Sequence, residues 1–187
     1  MAKKENQRIL LTKRMLQEGL LQLLETKELD KISVTELCRV AGINRATFYN
    51  HYNSPQDLLT DIEQQLTEEM CALINYPKNA SEALTQLEAV CTYMKDHANP
   101  IIILSRCRAD ADLVEGFHRL NAAFPTRYPR SRFTAGMDDD SLYLTNTFIY
   151  SGCYLLVREW LIKDIQKTPR EIAELLLGII CKELQYI

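Results

Sequence analysis

The residue types able to recognise another molecule crowd into one stretch, Asn44-Arg45-Ala46-Thr47-Phe48-Tyr49-Asn50-His51. In a helix opened by Asn44, a good N-cap, Arg45, Ala46 and Tyr49 share roughly 100° of surface while Phe48 turns aside toward a core. That outward face is small, polar and cationic. Arginine can donate twice to guanine O6 and N7, alanine can touch a thymine methyl, and Thr47, Tyr49 and His51 can donate hydrogen bonds to phosphate oxygens. Upstream, Ser33 and Thr35 stand at the start of another short helix, where free backbone N–H groups make a second phosphate-binding place. Lys3 and Lys4 head a basic arm over residues 3–14 that adds salt-dependent affinity without sequence preference. The set expected to face a nucleic acid is therefore Ser33, Thr35, Asn44, Arg45, Ala46, Thr47, Tyr49, His51, Lys3 and Lys4.

Those residues need elements to hold them out. Apolar residues recur at three and four rather than alternating, and no Asn-Gly or Asp-Gly turn occurs, so the chain reads as all helix. A first helix over about 6–26 carries Ile9, Leu16, Leu20, Leu23 and Leu24 on one stripe. Ser33-x-x-Glu36 is a capping box, Glu36 reaching back to the cap, that opens a short helix over 33–40. Gly42 ends it, since glycine takes a left-handed cap at little steric cost. The second short helix runs from Asn44 to about His51. Two helices this short cannot bury their own apolar faces, so Ile32, Val34, Leu37, Val40, Ile43 and Phe48 must rest on the first helix, with Tyr52 also in the core. The result is a helix-turn-helix.

Ser54, Pro55 and Asp57 open a long helix over 55 to about 75. Further helices are expected over 81–97, 100–107, 110–123, 139–164 and 169–185, the last begun by Thr168-Pro169-Arg170-Glu171. Residues 124–137 read as a loop. The domains expected are 1–53, a helix-turn-helix DNA-binding domain, and 54–187, a helical bundle for dimerisation and effector binding.

The formal net charge is −3, which argues against a protein that coats nucleic acid, yet residues 1–60 carry +2 and residues 61–187 carry −5. A basic end on an acidic body suits a small polyanion-binding part carried by a larger part with another task. Composition, 47% hydrophobic and 25% charged, excludes the disordered and low-complexity classes. Cys38, Cys71, Cys91, Cys107, Cys153 and Cys181 form no Cys-x-x-Cys pair, so they are not spaced for metal, and they read as small apolar residues kept reduced in a cytoplasm. Cys107, between Arg106 and Arg108, is the one thiol with a case for oxidation. Asp138-Asp139-Asp140 lacks the ligand spacing of a calcium loop and serves as a helix cap. No cofactor and no metal are expected. The N-terminus has no signal-peptide pattern, and the longest apolar stretch, Leu142–Val157, is too short and too interrupted to span a bilayer.

The run Ile32-Ser33-Val34-Thr35-Glu36-Leu37-Cys38-Arg39-Val40-Ala41-Gly42-Ile43-Asn44-Arg45-Ala46-Thr47-Phe48-Tyr49-Asn50-His51-Tyr52, with Ser54 and Asp57-Leu58-Leu59, resembles the DNA-binding domain of TetR-family transcriptional regulators. Ser151-Gly152-Cys153-Tyr154-Leu155-Leu156-Val157-Arg158-Glu159-Trp160-Leu161 and Thr168–Ile172 are more loosely similar to the C-terminal domain of the subgroup that includes activators of dihydroxyacetone kinase operons. The resemblance implies that Thr35, Arg45, Ala46 and Tyr49 reach bases while Ser33, Thr47, Tyr49 and His51 hold phosphates. One departure is that Pro55 stands where the family usually has lysine, which removes a phosphate contact. The resemblance also implies a homodimer formed by helices 139–164 and 169–185, binding an inverted-repeat operator in double-stranded DNA. Trp160 is expected in that dimer packing.

The implied function is a cytoplasmic DNA-binding transcription regulator, a repressor released by a small-molecule effector. An activator of the same fold and a protein-binding adaptor are the alternatives. An effector pocket implied by the family would use Arg106, His118, Tyr143, Asn146, Tyr150 and Arg158 to orient a mainly apolar or weakly acidic molecule. The plainer reading of each is a surface or interhelical hydrogen bond. An enzyme is disfavoured, because His51, His97, His118 and the scattered cysteines supply no nucleophile with a base.

Overall fold

The computed structural model describes residues 2–73, 77–107 and 136–185, with the side chains of 2–5, 71, 150 and 181–185 outside that description. Eight α-helices and one 3₁₀ turn, and no strand, occur among the described residues. They form two compact units, Met1–Glu68 and Glu69–Ile187.

In the first unit, α1 (Ala2–Leu24) buries Leu16, Leu20, Leu23 and Leu24 as the stripe predicts. Ile9 departs from it. That side chain is 38% exposed, and the exposed Leu10 and Leu11 follow it, because burial along α1 begins only at Leu16. A 3₁₀ turn (Leu29–Lys31) leads into α2 (Val34–Ala41). Gly19 is what lets α2 lie against α1: a Cβ there would stand 3.1 Å from Ala41 Cβ and 3.2 Å from the Ala41 nitrogen. Ser33 Oγ accepts from the Glu36 N–H at 3.2 Å, which is half of the expected capping box. The other half is replaced, since Glu36 Oε1 takes the Lys27 ammonium at 2.6 Å instead of turning back to the cap. Gly42, with φ of 66°, ends α2 in the left-handed region.

Asn44 then caps α3 (Arg45–Tyr49), its Oδ1 accepting from the Ala46 N–H at 2.8 Å. Ile32, Leu37, Phe48 and Tyr52 are buried under the two short helices, whereas Val34, Val40 and Ile43 are only half-buried at the rim. Each fully buried Leu or Phe removes enough apolar surface from water to stabilise the fold by roughly 1.5–3 kcal/mol.

Helix α4 (Pro55–Ala72) begins as its sequence predicts. Ser54 Oγ accepts from the Asp57 N–H at 3.1 Å, and the Asp57 carboxylate accepts from both nitrogens of Asn53. The division between units falls inside this helix rather than at 53/54. Its first turns bond back to the first unit: Asp61 accepts from Tyr52 Oη at 2.6 Å and from Lys13 Nζ at 3.3 Å, and Gln65 accepts from Gln17.

The second unit contains α5 (Ala80–Asp96), α6 (Ala98–Cys107), α7 (Asp139–Ile162) and α8 (Pro169–Gln185). Helix α5 lies along α8, and α6 packs on α7. Cys91, Met94, Ile101, Ile103, Leu104, Val157, Trp160, Ile172, Ala173 and Leu176 are its buried apolar residues among those described. Arg170 ties two helices together, donating to Glu88 on α5 at 2.8 Å and to Glu174 at 2.9 Å. Asp138 caps α7 by accepting from the Ser141 N–H and hydroxyl, which accounts for the start of the acidic run. Thr168 and Glu171 form the full reciprocal box that opens α8.

Trp160 needs a correction. It is 3% exposed within a single chain, with Nε1 donating to the Ile165 carbonyl at 2.9 Å and Lys95 over its ring, so it is core of the protomer and not dimer packing. The helix expected over 110–123 and most of the loop over 124–137 lie outside the described residues.

Candidate nucleic-acid interface

The candidate face is built on one anchor. Phe48 is fully buried, and in a helix this short that fixes where the other side chains point. Arg45 and Ala46 are exposed, and Tyr49 is 50% exposed with its ring edge-on against Phe48 at a centroid distance of 5.5 Å. The buried ring thus holds the outward tyrosine in place. Thr47 and His51 are half-buried beside this face, and the His51 ring lies 6.3 Å from that of Tyr52. Tyr52 is buried as expected, its hydroxyl on Asp61. Burial and that hydrogen bond push the phenol up, so it stays a donor.

On α2, Thr35 is exposed and Ser33 keeps its hydroxyl hydrogen free, since Oγ only accepts from the Glu36 N–H. Asn44 is exposed, but its side-chain oxygen is engaged in the cap, which leaves the amide NH₂ as its outward group. Lys3 and Lys4 belong to the first turns of α1, and their side chains lie outside the described residues. The rest of the basic arm is partly neutralised. Lys13 is held by Asp61 and Arg14 by Glu18 at 2.8 Å, so neither charge is free in the way the sequence implies. Pro55, buried at the first position of α4, offers no cation.

The supporting contacts were not legible from spacing. Tyr52 and Asp61 lie on either side of a chain reversal, and nothing in their separation signals a 2.6 Å hydrogen bond.

The residues expected to line an effector pocket differ in burial. Arg106 and Tyr143 are exposed, and Asn146 is half-buried. Arg158 is half-buried, with Nε enclosed and without a hydrogen-bond partner and Nη1 3.9 Å from Glu159. His118 and the side chain of Tyr150 lie outside the described residues. Burial pushes the Cys91 thiol up to about 12 and the Cys153 thiol to about 11, and it also raises Cys38, so these three behave as packing residues. Among the described residues no group of three His, Cys, Asp or Glu could hold a metal ion, and no helix is long and apolar enough to cross a membrane.

No protein-family model matches the sequence, and no curated protein matches it. Solved structures do. A TetR transcriptional regulator from Streptococcus agalactiae superimposes with a TM-score of 0.64 at 18% identity, over 96% of this chain and 99% of that one. The dihydroxyacetone kinase operon activator DhaS gives 0.60 at 14% identity, over 94% and 97%. The chain has the TetR-regulator fold. NalD, the secondary repressor of the MexAB-OprM multidrug efflux pump in Pseudomonas aeruginosa, shares that TetR fold with a TM-score of 0.54 at 19% identity, over 91% and 95%. At such identities the likeness is one of architecture: an N-terminal helix-turn-helix followed by a helical C-terminal domain.

Proposed function

We propose that the protein is a cytoplasmic, homodimeric, sequence-specific DNA-binding transcription regulator, a repressor that a small-molecule effector releases. The observation that carries this reading is the α3 face, where Arg45, Ala46 and Tyr49 stand out over a buried Phe48, the Arg45 guanidinium and Tyr49 hydroxyl unengaged by the protein. A helix of this width fits the major groove, and the helix before it crosses the phosphate backbone. Arg45, Ala46, Tyr49 and Thr35 then touch base edges, while Ser33, Thr47 and His51, with the amide of Asn44 and the ammoniums of Lys3 and Lys4, hold the backbone. The helix-turn-helix of residues 1–53, with the turns of α4 that bond back to it, acts as the DNA-binding domain, and the second unit as the dimerisation and effector domain.

Dimerisation is supported by apolar side chains that a single chain leaves in water. Leu144 is 65% and Phe148 72% exposed on α7, with Leu155 on the same helix and Leu175 and Ile179 on α8 also exposed. Two copies joined there present two recognition helices, to half-sites roughly 34–36 Å apart in an inverted repeat. An effector that binds better to a state with another separation of those helices releases DNA, by as much as its differential affinity for the two states. The pocket residues proposed are those of the second unit, Asn146 and Arg158 foremost because they are half-buried where the other two described candidates, Arg106 and Tyr143, are exposed.

An activator is the second reading, favoured by the likeness to DhaS, whose name describes an operon activator. Gel shift with the promoter beside the protein's own gene tests the shared part. A duplex retarded with steeply salt-dependent affinity is expected, and no binding at low salt would leave a protein-binding adaptor. Transcription from that promoter in vitro separates the signs: transcript is expected to fall with added protein, and a rise would make the protein an activator.

A further inference from the structure

The first unit sorts its cations into two classes. Lys13 is taken by Asp61, Arg14 by Glu18 and Lys27 by Glu36, at 3.3, 2.8 and 2.6 Å. Among the described residues, Arg8, Lys31, Arg39 and Arg45 are exposed and have neither an ion pair nor a hydrogen-bond partner. Two of these four sit on the helix-turn-helix itself, Arg39 on α2 and Arg45 on α3.

Their placement is informative. Arg39 follows Thr35 by four residues, so the two share a face of α2, and both are exposed. Cys38, the neighbour of Arg39, is close enough to Arg45 for that guanidinium to oppose the upward push of burial on its thiol. Arg39 itself stands on the exposed side of α2, away from the buried Leu37, Cys38 and Ala41. The only acidic residue of α2 and α3, Glu36, is turned to Lys27. Asp30 accepts from Gln56, Asp57 from Asn53, and Asp61 from Tyr52 and Lys13. Arg39 and Arg45 thus lie on consecutive helices, and among the described residues neither side chain has a carboxylate partner. Exposed cations without a partner in the chain are available to an external polyanion.

We propose that Arg39 is a backbone-phosphate contact, reaching the duplex from α2 beside the groove that α3 enters. It is none of the residues assigned to DNA by the sequence motif. This rests on the reading of the protein as DNA-binding and adds a residue to it. The contact is to phosphate because the helix before the recognition helix crosses the backbone, where a side chain meets phosphate oxygens before base edges.

A phosphate contact contributes to binding on any sequence, so no operator is needed to test it. Affinity of the full chain is measured across a salt series on a labelled duplex of arbitrary sequence and on the promoter fragment beside its gene. Arg39→Gln is expected to weaken both by the same factor and to lower the slope of log affinity against log salt by about 0.9 per DNA-bound copy. Arg39→Lys is expected to restore the slope, Lys163→Gln on the second unit to leave it unchanged, and melting temperatures to stay at the wild-type value. Wild-type binding with a steep slope that Arg39→Gln leaves intact overturns this inference and spares the DNA reading. A loss confined to the promoter fragment makes Arg39 a base reader and overturns the phosphate assignment. Absence of wild-type binding to either duplex at low salt overturns the DNA reading and this inference with it. If Arg39→Gln melts early, Arg39→Lys decides: a folded lysine variant with a reduced slope at equal charge overturns the inference.

Discussion

In the proposed DNA-binding role, Arg45 is the side chain on which sequence recognition turns. Its guanidinium is exposed and bonded to nothing in the chain, so truncation removes no fold-stabilising contact. Arg45→Ala is expected to weaken operator binding by about 1–3 kcal/mol. Its melting temperature should match wild type, and the loss on random duplex should be smaller. Equal loss on both duplexes in a competition gel shift would remove its base-reading role. The Tyr52, Asp61 and Lys13 cluster answers to a different rule. Tyr52 is nearly buried, whereas Asp61 is a third exposed and keeps Lys13 or water when the phenol is gone. Asp61→Ala therefore strands a buried hydroxyl and is expected to cost about 1–3 kcal/mol, against about 0.5–1.5 for Tyr52→Phe. Urea unfolding of both variants checks the order, and the reverse order would mean that the hydroxyl finds water. At this scale the sequence already showed the chemistry of Arg45, because its neighbours are local. It did not show the Asp61 partnership, because that depends on how a helix returns across the fold.

Helix termini are where single residues decide whole elements. Asp57 accepts from the side-chain and backbone N–H groups of Asn53 and receives further help from Ser54, and these bonds hold its carboxyl below the ordinary carboxylate range. A carboxyl whose folded pKa lies below its unfolded value stabilises the fold above the unfolded value, near pH 4, and ceases to as pH falls through the folded one. The urea midpoint of the wild type is thus expected to rise from pH 2 to pH 5, and the rise to be smaller in Asp57→Asn. An identical rise in the two would show that the α4 start is not part of the acid response. Thr168 with Glu171 and Asp138 with Ser141 obey the same logic at α8 and α7, with both carboxyls lowered chiefly by hydrogen bonds from backbone N–H groups. These starts were legible because a cap involves residues within three or four of each other. Glu36 is the exception. Its sequence position promised a reciprocal cap, but Lys27 offered a charge-assisted partner at 2.6 Å and prevailed.

For the molecule as a whole, the exposed stripe of α7 sets the expected assembly. Leu144, Phe148 and Leu155 recur at four and seven, which places them on one side of the helix. Phe148→Glu buries a charge in any interface made there, so it is expected to shift the chain by sedimentation from twice 21.6 kDa to a single copy. Promoter affinity should fall in parallel, since two half-sites are then no longer read together. A dimeric, DNA-binding Phe148→Glu would place the interface elsewhere.

The sequence by itself determined what rests on short range: helices in register with their caps, the glycine stop at Gly42, the outward Arg45 and Tyr49, and the inward Phe48 and Tyr52. Helical geometry converts spacing into direction, so such features survive whatever the rest of the chain does. Only the tertiary structure decided which helix covers which. It left Ile9 in water where an amphipathic stripe ran on past its cover, placed Trp160 in the protomer core, required Gly19 beneath Ala41, and assigned the carboxylates to Lys13, Arg14 and Lys27 but not to Arg39 or Arg45. Most of those outcomes depend on where two elements cross, and a linear pattern of residue types carries no record of the crossing.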